Sequence, residues 1–223
     1  MNVGSEPDIK PSELRKYLYA EADKRMKDAG FTVFSHKALQ GHYELKISDE
    51  CSGIAGISQN IHCGSLHFSF SVGTRIHEVE KIVDRLRPVS VYEGKHAALL
   101  RPHSSTMGTN AGYTLPTPSY TSHIPRTKKH VDSDLAQSIE IVTTAGISYM
   151  KKNSSVEEIY HNMKKSGRIT NSFSEPIIYI LMKKKDEAVQ LISKEFLSKT
   201  YLSSDDPWRV YGERLLQFVD EYL

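Results

Sequence analysis

His67-Phe68-Ser69-Phe70 sets an imidazole and a hydroxyl two positions apart with apolar neighbours. In a strand, that spacing puts both polar groups on one face. The form looks like half of a two-histidine phosphoesterase site, in which each imidazole handles a proton while hydroxyls hold the phosphate. Such a site needs a second copy facing the first. His103-Ser104-Ser105 is the other His-x-Ser, but its middle residue is polar and its surroundings are loop-like. A small phosphoesterase or RNase-like enzyme using His67 and His103 is therefore one reading, and an ordinary polar strand face is the other.

The same face, with the strands in the register expected below, gathers His42, Glu44, Asn60, His62, His67 and Ser69. Histidines beside a carboxylate can exchange protons or bind a metal, although a sheet face that is partly wet carries such residues without any chemistry. Cys51 and Cys63 have no CxxC and no histidine at ligand spacing, so no metal is expected and free thiols fit better than a bridge. Cys63 beside His62 does not make a nucleophile and base in a flat strand, because adjacent side chains point to opposite faces. Ser71-Val72-Gly73-Thr74 lacks a Walker lysine and a dinucleotide fingerprint, which leaves Thr74 as a helix cap. Gly108-Thr109-Asn110-Ala111-Gly112 could cradle a phosphate or simply turn the chain. No cofactor is expected.

The elements that must position these groups are read from periodicity. Pro11 to Ala29 predicts a helix with Leu14, Leu18, Ala22 and Met26 down one stripe and Gly30 as its left-handed stop. Tyr43, Leu45 and Ile47 alternate with polar residues and predict a strand. Ile54 to Ile61 predicts the next, with Ile57 and Ile61 inward. Leu66, Phe68, Phe70 and Val72 make the clearest strand, and Ile76, Val79, Val83 and Leu86 a helix directly after it. Ala97 to Leu100 would supply a fifth strand. The predicted class is α+β: an N-terminal helix, an antiparallel four- to five-stranded meander with a helix, then a helical region.

Residues 104–131 are expected to be a long irregular loop, rich in Ser, Thr, Gly, Asn and Pro, between a sheet domain at 1–103 and a helical region at 132–223. In the helical region, Asp132 or Ser133 is expected to cap a first helix, Ser154 with Glu157 to form a capping box, and Gly167 to end that short helix. Ser174 should cap the next, followed by helices at 186–198 and 207–222.

A net charge of +2 on 223 residues makes no general polyanion binder, so no nucleic acid is expected. Arg126-Thr127-Lys128-Lys129-His130 and Lys183-Lys184-Lys185 are basic, but no aromatic-interleaved surface accompanies them, and the second run suits a helix C-terminus. No apolar run approaches the ~20 residues of a membrane span and no secretory leader opens the chain, which predicts a cytoplasmic protein with no membrane partner. Tyr113 and Tyr120, with Arg101, His103 and Arg126 nearby, suit an adaptable protein-binding surface, since tyrosine offers large contact area with few rotatable bonds. Anchoring of the loop to its own core is the competing use of the tyrosines.

Ala29-Gly30-Phe31, the strand Ile54 to Ile61 with its Gln59, the strand Leu66 to Val72 followed by Gly73, and Val131 to Met163 carry a resemblance. Their order resembles a family of bacterial domains of unknown function, some of whose members lie near polymorphic toxin loci and look like immunity proteins. The chain departs from that family in one respect. Its single tryptophan, Trp208, is near the C-terminus and not before the first closing helix. The resemblance implies a non-catalytic factor that neutralises a cognate toxin or effector protein by direct binding.

Overall fold

The computed structural model describes residues 9–62, 65–88, 105–110, 127–163, 169–170, 172–198 and 205–223. Helix α1, Pro11–Asp28, buries Leu14, Leu18, Ala22 and Met26, and proline in its first turn gives up an N–H that has no helical acceptor there. Its end is set by Gly30 at φ 89°, where the Gly30 N–H donates to the Lys27 carbonyl and the Phe31 N–H to the Met26 carbonyl. This double reach-back satisfies two orphan carbonyls and turns the chain into strand β1, Thr32–Val33. A 3-10 turn, Lys37–Leu39, then leads to β2, His42–Lys46. The long strands β3, Cys51–His62, and β4, Ser65–Ile76, are followed by α2, His77–Leu86, and by β5, Met107–Asn110.

Helix α3, Lys128–Ile141, passes through a π-helical turn, Val142–Gly146, into α4, Ile147–Lys152. Then come α5, Val156–Met163, β6, Ile169–Thr170, α6, Glu175–Leu181, and α7, Lys185–Ile192. A second π-helical turn, Ser193–Leu197, and α8, Pro207–Tyr222, close the chain. The class is α+β, with one antiparallel sheet in the order β1-β2-β3-β4-β5-β6. No described helix is long and apolar enough to cross a membrane.

The described residues fall into two compact units, each discontinuous in sequence. One is drawn from Met1–Lys46, Gly53–Gly73 and Thr109–Lys151, the other from Ile47–Ser52, Thr74–Gly108 and Lys152–Leu223. In the first, α1 packs on α3, and β1 pairs antiparallel with β2 in the register Thr32↔Glu44, Val33↔Tyr43. In the second, α2, α6, α7 and α8 surround Val79, Val83, Ile177, Ile180, Ile192 and Leu215, all buried. Trp208 lies in this unit, stacked on Phe173 and Phe196.

Several local expectations are corrected. Thr74 caps nothing: β4 runs on through Thr74 and Arg75 to Ile76, and α2 starts at His77 without a side-chain cap. The buried Thr74 is a strand residue whose N–H partner strand is supplied further on, its carbonyl accepting from the Thr106 N–H at 2.7 Å. Ile61 is 44% exposed instead of inward, because the buried stretch of β3 lies at its start, Cys51 to Ala55. The third helix is capped by Thr127, whose Oγ1 accepts from the His130 N–H at 3.3 Å, five or six residues before the expected caps Asp132 and Ser133. The capping box is Ser155 with Glu158, one residue late: Glu158 N–H donates to Ser155 Oγ, and Ser155 N–H to Glu158 Oε2. Ser174 precedes α6, but its hydroxyl goes to Glu80 and not to the helix end. Met107–Asn110 forms a strand inside the stretch expected to be irregular. The fifth strand expected at residues 97–100 and the helix stop at Gly167 lie outside the described residues.

Candidate functional site

Arg101, His103, Tyr113, Tyr120 and Arg126, the expected partner contacts, lie outside the described residues. His67 sits half-buried in β4 and His62 exposed at the end of β3, while His42 and Glu44 are half-buried in β2. Among the described residues no group of three or more His, Cys, Asp or Glu is placed to hold a metal ion. Cys51 is buried, and desolvation with a smaller contribution from Glu158 pushes its thiol from 9.0 up to about 11. A thiol held protonated is a poor nucleophile.

A concavity of the first unit opens where α1 ends and β1 begins. It measures about 860 Å³. Its seat is the segment Phe31 to Phe34, with Phe31 buried and Val33 and Phe34 half-buried. Lys24 and Lys27 line it from α1, three residues apart and both exposed, and Lys37 lines it from the 3-10 turn. Asp23 is the carboxylate among the lining residues. It accepts from the Tyr43 hydroxyl at 2.9 Å, and burial raises its pKa, partly offset by that hydrogen bond. Tyr43 is itself pushed up, first by burial and then by the Asp23 charge. His36 lines the groove too, and its Nδ1 accepts from the Ala38 N–H at 3.2 Å, which holds the 3-10 turn in place. Strand β1 is at the edge of the sheet among the described residues. The groove thus combines an apolar seat, a basic rim and a sheet edge.

In the second unit, His77 reaches Ser52 Oγ through Nε2 at 2.9 Å and the Asp49 carbonyl through Nδ1 at 3.1 Å. A carbonyl only accepts, so Nδ1 carries the proton and Nε2 accepts from the Ser52 hydroxyl. That is the geometry of a serine with its base. Ser52, however, is 4% exposed, which keeps its hydroxyl from a bound substrate. The His77 backbone N–H also donates to the Glu50 carbonyl at 2.9 Å, so backbone and imidazole together tie the turn before β3 to the start of α2. A cleft of about 420 Å³ beside it is lined by Asp49, Glu50, Glu78 and Glu157. Glu78 and Glu157 stand in the first turns of α2 and α5, where a carboxylate meets the positive end of the helix dipole.

Glu80 is a third cluster of the same unit and is 1% exposed. Its Oε1 accepts from Thr106 Oγ1 and from Ser174 Oγ, each at 2.8 Å, and Arg75 Nη1 stands 3.9 Å from Oε2. Thr106 Oγ1 also accepts from the Ile76 N–H at 3.0 Å. The carboxylate is therefore saturated by groups that hold β4, α2 and the start of α6 together, which is a structural use of a buried charge. Neither the Ser52–His77 pair nor the Glu80 cluster is visible in the sequence, because their partners are brought together only by the fold. The groove has one early signal, the Gly30-Phe31 step. No family model, curated protein or solved structure matches the chain.

Proposed function

We propose that the protein is a non-catalytic binding factor that holds a partner protein, in the manner of an immunity protein occluding a cognate toxin. The observation that carries this reading is the Phe31 to Phe34 groove, which joins an apolar seat to a rim of Lys24, Lys27 and Lys37. Apolar contact area with a charged rim is how protein interfaces combine affinity with register. The family resemblance supports toxin neutralisation as the setting. The stretch with Arg101, His103, Tyr113, Tyr120 and Arg126 would supply further contacts.

The test is co-expression of the tagged chain with the product of the adjacent open reading frame. A stoichiometric complex that survives sizing, together with rescue of cells from that product, is the expected result. Failure of both overturns the reading. Turnover of cyclic phosphates or RNA that is lost in a His67→Ala, His103→Ala double variant would replace it with the two-histidine enzyme.

A further inference from the structure

We infer that the groove receives an acidic, extended segment of the partner, laid along β1 as an added strand of the sheet. This rests on the binding reading above. An edge strand turns part of its backbone N–H and C=O groups away from its one neighbour, and an extended chain satisfies them regardless of its sequence. Strand β1 has β2 on one side in a defined antiparallel register, and among the described residues nothing is paired on the other. The half-buried Val33 and Phe34 beside that edge offer apolar contact to side chains of an added strand, which recur on one face at every second residue.

The charge decides the class of segment. The chain as a whole is close to neutral, at +2, yet three of the groove's lining residues are exposed lysines. Asp23, the acidic lining residue, is engaged by Tyr43. A segment with Asp or Glu on its outer face would place carboxylates against Lys24, Lys27 and Lys37, whereas a basic segment would meet repulsion from all three. A single-stranded nucleic acid would also meet the lysines, but it gains nothing from a strand edge and needs exposed aromatic faces for its bases, while Phe31 is 3% exposed.

The experiment uses the full chain and three labelled probes of about twelve residues: a peptide alternating Glu and Val, a peptide alternating Lys and Val, and oligodeoxythymidine. Binding is read by fluorescence anisotropy and amide hydrogen exchange at the β1 residues Thr32 and Val33. The acidic peptide is expected to bind best and to slow exchange at those amides, and a Lys24→Glu, Lys27→Glu, Lys37→Glu variant with an unchanged far-UV spectrum is expected to bind it about tenfold more weakly. Equal binding of both peptides, preference for the oligonucleotide, no peptide binding, or binding without exchange protection at Thr32 and Val33 would each overturn the inference. Its failure is separable from that of the function. A triple variant that still co-purifies with the partner leaves the binding reading standing and removes this contact, and peptide binding without any partner in co-purification does the reverse.

Discussion

Asp132 is a half-exposed carboxylate on α3 that collects two side chains from α1. Its Oδ2 accepts from the Tyr17 hydroxyl at 2.8 Å, its Oδ1 from Arg25 Nη2 at 2.8 Å, and its carbonyl from Arg25 Nη1 at 3.3 Å. The hydrogen bond to Asp132, and then burial, raise Tyr17 from 10.0 to about 12. Asp132→Asn keeps the shape and removes the charge. Tyrosinate absorbance should then show Tyr17 ionising closer to 10, and the exposed ion pair should cost about 1 kcal/mol or less in a urea titration. An unmoved Tyr17 would mean that burial alone sets it. Lys183 is a residue of the opposite kind, in that its backbone is the strained part. It stands at φ 57°, with its N–H on the Ile180 carbonyl and the Lys184 N–H on the Tyr179 carbonyl, the same helix ending that Gly30 gives α1. A side chain in that conformation costs about 1 kcal/mol, and glycine returns part of it to unfolded-state entropy. Lys183→Gly should raise the urea midpoint by an amount worth about 0.5–1 kcal/mol.

At the scale of elements, α8 comes close against the π-helical turn before it. A Cβ on Gly212 would stand 2.7 Å from Phe196 Cβ and 2.9 Å from Leu197 Cδ2. Alanine gains about 1 kcal/mol of helix propensity there, but forcing a methyl into a packed core costs about 1–3 kcal/mol. Phe196 Cβ is fixed to the backbone and cannot swing aside, so the clash wins. Gly212→Ala should lower thermal stability, and an unchanged or higher midpoint would show that the π-helical turn gives way. Elements were legible where one period ran long enough to fix a face. The stripe of α1 and the broad face of α8 set their own boundaries, and the alternation around Leu66 and Phe70 marked β4 but not its end. The rest depended on partners distant in sequence. Thr74 has cap chemistry but lies in a strand that pairs near Thr106, and Ser174 gives its hydroxyl to Glu80, 94 residues away. The candidate groove is barely legible, since β1 has two residues and no period, and only Gly30-Phe31 marks its start.

Across the whole molecule, the shifted acids of the alkaline range share one sign. Cys51 is raised to about 11 and Tyr17 to about 12, and burial raises Tyr43 and Tyr211 further. Each gives up its proton more readily in the unfolded chain. Their contribution to stability is therefore complete below the ordinary values of 9.0 for the thiol and 10.0 for the phenols, and is lost as pH rises through the folded values. Asp23 and Glu175 are also raised by burial, so their contribution is present only below the carboxylate range, and acid weakens the fold less than it would with salt-bridged carboxylates alone. The urea midpoint is expected to stay level from neutral pH to about 9 and then fall. Among the described residues, the window between 9 and 10 belongs to Cys51, because tyrosines and lysines ionise later. Cys51→Ala shifts the neutral-pH midpoint through lost packing, and apart from that the onset of the decline should move from about pH 9 to about pH 10. An onset unchanged by that substitution would show that Cys51 does not set it.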